Sequence, residues 1–177
     1  VQGNACHVEE FLTPYEYNDT VFYVLAAPKK LEEAYNIKKD YAVQAVKQLQ
    51  AKFDYVIVDT TSMFSVLNLA LLDLSTIVTF LGIVDFIPTI KNMKIGSDTL
   101  NDLNYDKNKI RLVLNRSNAK TRISIDDVEK LLGEKFYHIL PNDFRAASQS
   151  IKEGIPLVLK NDMTALSEAL CDLVARY

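Results

Sequence analysis

Residues Tyr55–Asp59 read YVIVD, and this run of apolar residues ending in a carboxylate decides the fold. Side chains alternate across a strand, so successive apolar positions predict a strand buried on both faces. Such strands stand in the middle of parallel sheets covered by helices on either side. Working outward, Ala42, Ala45, Val46, Leu49 and Phe53 recur at three and four residues, which predicts a helix opening near Asp40. Helical spacing returns beyond the strand at Val66, Leu69, Ala70 and Asp73.

The same alternation extends in both directions. VFYVLAA at Val21–Ala27, TIVTFLGI at Thr76–Ile83, IRLVLN at Ile110–Asn115 and Phe136–Leu140 read as further buried strands. Between them lie a helix opened by Asp85 and Pro88, with Phe86, Ile90, Met93, Leu100 and Leu103 facing inward, and one opened by Ser124 and closed by Gly133. A helix from about Phe144 to Glu153 stops at Gly154, and a last one carries Leu166, Ala169, Leu170, Leu173 and Val174 on one stripe. Gly96, inside a helix, is expected to be unfavourable by about 1 kcal/mol relative to Ala. The predicted fold is a doubly wound, mostly parallel α/β sheet with helices on both faces. Residues 1–177 read as a single α/β domain with an irregular lead-in over 1–20.

Composition narrows the functional classes. Twenty Lys and Arg against 23 Asp and Glu give a net charge of −3, which argues against a broad nucleic-acid footprint. Cys6 and Cys171 have no metal or redox spacing and read as reduced, cytoplasmic thiols. No apolar run reaches the ~18 residues of a spanning helix, and the chain start has no signal-peptide pattern. The five glycines are too scattered for a phosphate-cradling loop, and Val1 is not an initiator residue; together these predict the later part of a longer polypeptide.

In a doubly wound sheet the ligand crevice lies outside the carboxyl ends of the strands. The residues there are Asp59 with Thr60, Thr61 and Ser62; Asp85; Asn115 with Arg116; and Pro141, Asn142 and Asp143. A carboxylate ending an apolar strand suits the water shell of magnesium beside a phosphate, but also suits a helix cap. An Asn amide presents donor and acceptor together and can read a base edge, yet Asn is also a common turn residue. Pro141-Asn142-Asp143 reads by default as a turn and cap. His138 reads as a core or edge histidine, and Tyr15, Tyr17, Phe22 and Tyr23 as packing aromatics. No arrangement suggests nucleophilic catalysis, so no catalytic residue is assigned.

Four collinear segments carry a resemblance: FDYVIVDTT (Phe53–Thr61), VDFIPTIKNMK (Val84–Lys94), IRLVLNRSNAK (Ile110–Lys120) and LPNDFRAASQSIKEGIPLV (Leu140–Val158). Together they resemble the ATPase domain of TadZ/CpaE pilus-assembly proteins, within the MinD/ParA group of deviant Walker P-loop ATPases. The resemblance implies an ATP-binding, dimerising protein that helps place and assemble a tight-adherence (type IV-like) pilus or secretion system. It would be cytoplasmic, at the cell pole or held at the inner membrane through partner proteins. It implies that Asp59 holds magnesium through water, that Asn115 contacts adenine with Arg116 beside it, and that Pro141, Asn142 and Asp143 line the base.

The sequence also departs from that pattern. The deviant Walker A loop and its lysines would precede Val1, so this chain is expected to bind ATP poorly and hydrolyse none. Thr60 and Thr61 stand where many relatives carry Pro, and the chain ends in a core-type stripe rather than a basic membrane helix, so direct membrane insertion is not expected. The rival readings are a ParA-type partition ATPase, a bacterial tyrosine kinase of the same fold, and a nucleotide-free dimerisation module. The acidic net charge and the single terminal Tyr177 weigh against the first two.

Overall fold

The computed structural model describes residues 7–117 and 123–177. The chain divides into two compact units, one ending at Ser75 and the other spanning Thr76–Tyr177.

In the first unit, strands β1 (Thr13–Tyr17) and β2 (Thr20–Val24) pair antiparallel about Asn18 and Asp19. Asn18 adopts φ 51°, which suits the tight two-residue turn of a hairpin. Tyr15 stacks on Phe22 with ring centroids 4.7 Å apart, and Tyr23 meets Phe53 at 5.6 Å, so these aromatics pack as expected. The predicted lead-in therefore contains a strand, and the run from Val21 forms an exposed hairpin arm instead of a buried parallel strand.

Helices α1 (Leu31–Tyr35), α2 (Lys39–Gln50) and α3 (Val66–Leu74) complete this unit. The predicted face of α2 turns inward, with Leu49 buried, and Gln48 accepts the backbone N–H of Val8 at 3.2 Å. Tyr55–Asp59 departs from expectation: it joins no ladder among the described residues, and Tyr55 and Ile57 are 89% and 95% exposed. A strand apolar on both faces is buried only when strands flank it on both sides, and no described strand pairs with this run. The loop that follows is tied down by buried Asn68, whose amide donates to Thr61 Oγ1 at 2.9 Å and to the Met63 carbonyl at 2.7 Å.

The second unit is built on strands β3 (Val78–Gly82), β4 (Ile110–Leu114) and β5 (His138–Ile139), all parallel, in the order β3-β4-β5. Strand alternation places Leu112 and Leu114 on one face and Val113 on the other. On the first face they join Ile90 and Met93 of α4 (Ile87–Asp102) and Val128 and Leu132 of α5 (Ile125–Leu132). On the second, Val113 packs with Leu140 and with Leu166, Ala169, Leu170 and Leu173 of α7 (Ala165–Ala175). Val113 and Leu114 are fully buried, each contributing about 1.5–3 kcal/mol. Helices cover both faces of β4, as its apolar run predicts, but β3 is covered on one face only: Thr79 and Leu81, on the Val113 side, are exposed, so the predicted burial of that strand on both faces is not realised.

Local chemistry fixes the helix ends. Ser124 caps α5 by accepting from Asp127 N at 3.1 Å, Asp143 caps α6 (Phe144–Glu153) by accepting from Ala146 N at 2.9 Å, and Thr164 and Ser167 form a capping box on α7. Gly133 and Gly154 close α5 and α6 with left-handed φ of 78° and 67°. Helix α4 crosses β3 closely: a β-carbon on Gly82 would lie 2.1 Å from Met93 Cε. Three predicted inward residues instead face out, Phe86, Leu103 and Val174, because each stands at an element terminus beyond the covered stripe. His138 Nε2 contacts the Ala169 carbonyl at 2.7 Å and is structural. Cys171 is a free, exposed thiol, while Cys6 lies outside the described residues.

Candidate functional site

The register of β3, β4 and β5 brings their carboxyl ends into line. Gly82 stands opposite Leu114, and beyond that pair the backbone N–H of Asn115 donates to the Gly82 carbonyl at 2.8 Å. On the other side, Leu140 N donates to the Leu114 carbonyl at 2.8 Å and Ser117 N to the Leu140 carbonyl at 3.0 Å. The exits of all three strands, carrying Asp85, Asn115 with Arg116, and Pro141 with Asn142 and Asp143, are thereby laced into one edge.

Between the two lacing points the chain turns at Arg116, whose φ of 58° is left-handed. A non-glycine residue there is held against a strain of order 1 kcal/mol. Its guanidinium reaches Asp85, with Arg116 Nη1 3.5 Å from Asp85 Oδ2. The Asp85 side chain is only 13% exposed, and its Oδ1 is buried with no hydrogen-bond partner among the described residues. Asn115 is half-buried and its carboxamide makes no hydrogen bond among the described residues. This edge thus offers an amide with no hydrogen bond among the described residues beside a half-exposed guanidinium held by a carboxylate. These groups suit a flat heteroaromatic ligand with mixed donors and acceptors.

The other assigned residues divide between roles. Asp143 caps α6, so the turn-and-cap reading of Pro141–Asp143 is realised in that carboxylate, while Pro141 and Asn142 remain half-buried on the edge. Asp59 belongs to the first unit, where it is exposed and makes no ion pair among the described residues. It does not cap the next helix: Ser65 caps α3, accepting from Asn68 N at 3.2 Å. Part of the IRLVLNRSNAK segment, residues 118–120, lies outside the described residues.

Sequence position alone placed Asp85 at the edge without a partner. Its pairing with Arg116 depends on the β3–β4 register, which no local pattern encodes. A cleft of about 550 Å³ runs along α6 past Arg145, Gln149, Lys152 and Lys160 and includes none of the assigned residues. Two of its lining residues, Lys160 and Gln149, donate to Glu153 and hold its carboxyl below the ordinary carboxylate value.

The residues present fit the base end of a nucleotide better than its phosphate end. The Asn115 amide and the half-exposed Arg116 guanidinium are suited to a base, whereas no cluster of three or more His, Cys, Asp or Glu able to hold a metal occurs among the described residues. Asp59 offers a single carboxylate, and magnesium held there would keep most of its waters.

No family model matches the sequence, and no curated protein matches it. Among solved structures, a ParA family ATPase from Chlorobium tepidum TLS superposes with a TM-score of 0.83 at 17% identity, covering 95% of this chain and 67% of that one. The MinD cell division protein of Aquifex aeolicus superposes with a TM-score of 0.62 at 18% identity, covering 79% of this chain and 60% of that one. The chain therefore spans about two thirds or less of these two proteins, and it has the α/β fold of the ParA and MinD P-loop ATPases.

Proposed function

We propose that this chain supplies the base-binding part of a ParA/MinD-type ATP site and acts as a localisation and assembly factor of a tight-adherence pilus or secretion system. The observation that carries the nucleotide reading is the laced edge of β3, β4 and β5, with the free carboxamide of Asn115 beside left-handed Arg116. Asn115 would meet a base edge with donor and acceptor together, Arg116 would pack beside it, and Pro141 and Asn142 would wall the other side. On the resemblance alone, Asp59 would hold magnesium through water, the metal serving to neutralise phosphate charge.

The pilus assignment is supported by the ordered resemblance of four segments, above all LPNDFRAASQSIKEGIPLV at Leu140–Val158. The protein would act as a homodimer with pilus or secretion assembly proteins, in the cytoplasm at the cell pole or beside the inner membrane. No described helix is long and apolar enough to cross a membrane, and the net charge of −3 supports a partner other than nucleic acid. Two measurements test this reading. Calorimetric titration of the protein with ATP should show binding abolished by Asn115→Ala together with Arg116→Ala. Deletion of the gene should remove pili from the cell surface in electron micrographs, and unchanged piliation would overturn the assembly role.

A further inference from the structure

We propose that the cleft along α6 is a docking site for an acidic, helical peptide of a partner protein, with Arg145 and Lys152 taking its carboxylates and Leu157 an apolar residue between them. The cleft lies wholly in the second unit and includes none of the base-site residues, so the inference goes beyond the nucleotide reading and stands without it. Helical spacing puts Arg145, Ser148, Gln149 and Lys152 on one face of α6, and all four line the cleft. Arg145 and Lys152 are exposed and make no hydrogen bond or ion pair among the described residues, so both charges are open to a ligand. Lys160 lines the cleft too, but its ammonium is spent on Glu153 at 2.6 Å, which ties that segment to the end of α6. Three cations against a single carboxylate, Asp162, thus line a cleft in a chain whose net charge is −3. The local sign is the reverse of the whole.

The spacing selects the occupant. Arg145 and Lys152 stand seven residues apart in one helix, about 10 Å along its axis at 1.5 Å per residue. Two charges so placed match two carboxylates on one ligand, and residues seven apart in a helical peptide lie on one face at the same separation. The residue three or four further on from the first lies between them on that face. An apolar side chain there meets half-buried Leu157 and Ala146, and Phe144, 75% exposed at the start of α6, extends the contact. A nucleic-acid duplex fits less well: its charges recur about every 1.7 Å of axis and call for a long row of cations, which Asp162 and the acidic net charge oppose.

The test uses the full chain and a fluorescently labelled helical peptide with Glu at two positions seven residues apart and Leu between them, followed by anisotropy at low salt. This peptide should bind about tenfold tighter than its counterpart with both Glu changed to Gln, and high salt should weaken it. Arg145→Gln together with Lys152→Gln should weaken the Glu peptide about tenfold. Lys91→Gln together with Lys130→Gln, which removes the same charge from exposed positions outside the cleft, should weaken it less than about twofold. Thermal melting checks that each variant folds. Arg145→Glu together with Lys152→Glu should instead bind a peptide with Lys in place of both Glu, a reversal that a misfolded chain cannot produce. Equal affinity for the Glu and Gln peptides, equal losses in the two pairs of variants, or failure of the reversal would overturn the proposal. So would displacement of the peptide by millimolar inorganic phosphate, which marks a simple anion site, or by a short DNA duplex, which marks a nucleic-acid surface.

Discussion

The ring of Phe80 fills the space that a β-carbon on Gly96 would need: such a carbon would stand 2.6 Å from Phe80 Cζ. Gly96 lies mid-helix in α4, where Ala would ordinarily gain about 1 kcal/mol from propensity. Overpacking against a ring held between strand and helix opposes this by about 1–3 kcal/mol. The contact therefore reverses the sign that helix propensity alone gives. Gly96→Ala is expected to destabilise the protein by up to about 2 kcal/mol in urea unfolding, and Phe80→Leu in the same chain should recover part of that loss. A stabilised Gly96→Ala variant would show that the ring gives way freely.

How far the fold was legible follows from the range over which each signal acts. The caps of α5 and α6, at Ser124 with Gly133 and Asp143 with Gly154, are written within one turn of each helix and stand where the pattern puts them. Strands β3 and β4 are apolar runs whose helical neighbours follow in sequence. The run at Val21 carries the same β-branched signature yet forms an open hairpin, because what distinguishes it is the Asn18-Asp19 turn and a partner upstream. Tyr55–Asp59 has the composition of a central strand, but composition cannot supply the flanking strands. At the site, Asn115 was legible as the residue after a strand. The left-handed turn at Arg116 and its reach to Asp85 arise only from the register between strands.

Asp59 and Ser65 separate a carboxylate proposed to hold a ligand from a capping residue. Ser65 accepts the N–H of Asn68 at the start of α3, so Ser65→Ala should cost about 1 kcal/mol in the urea midpoint. Asp59 is exposed and makes no ion pair among the described residues, so Asp59→Ala should change stability by less than about 0.5 kcal/mol. A loss above about 1 kcal/mol in Asp59→Ala would assign that carboxylate a structural role.

Hydrolysis demands more than a base site. The glycines at Gly3, Gly82, Gly96, Gly133 and Gly154 are too far apart in sequence to form a glycine-rich phosphate loop, and without such a cradle the transferred phosphoryl group is neither oriented nor neutralised. The purified chain should release no phosphate from magnesium-ATP above the buffer rate in a coupled assay. Clear magnesium-dependent turnover would reveal a phosphate site built from other residues.

Glu153 links the end of α6 to the segment after it, accepting from Lys160 Nζ at 2.6 Å and also from Gln149. Those two donors lower its folded-state pKa, while its own desolvation pushes weakly the other way. A depressed carboxylate adds stability that is present above the unfolded value, about 4.3 for Glu, and lost as pH falls through the lower folded value. The Glu153→Gln variant should therefore lose less stability than wild type across that acidic window, with the two curves parallel near neutrality. Identical acid limbs in urea titrations at stepped pH would show that the linkage does not survive in solution.

The last prediction concerns Asn115, where a structural and a recognition role make opposite forecasts. Its backbone N–H is spent on Gly82, but its carboxamide makes no hydrogen bond among the described residues, so truncating it removes no internal partner. Asn115→Ala should leave the unfolding free energy within about 0.5 kcal/mol of wild type. If the amide reads a base edge, the same change removes a donor and an acceptor at once, a loss of about 1 to 3 kcal/mol, or roughly five- to hundred-fold in adenosine affinity. Because adenine and guanine present different patterns to that amide, the variant should also discriminate less between adenosine and guanosine. A turn residue would behave in the reverse way: the melting temperature would fall, and the ratio of the two affinities would stay as it was. Measuring both quantities on one sample decides between the roles, and a lowered melting temperature with an unmoved ratio would take Asn115 out of the site.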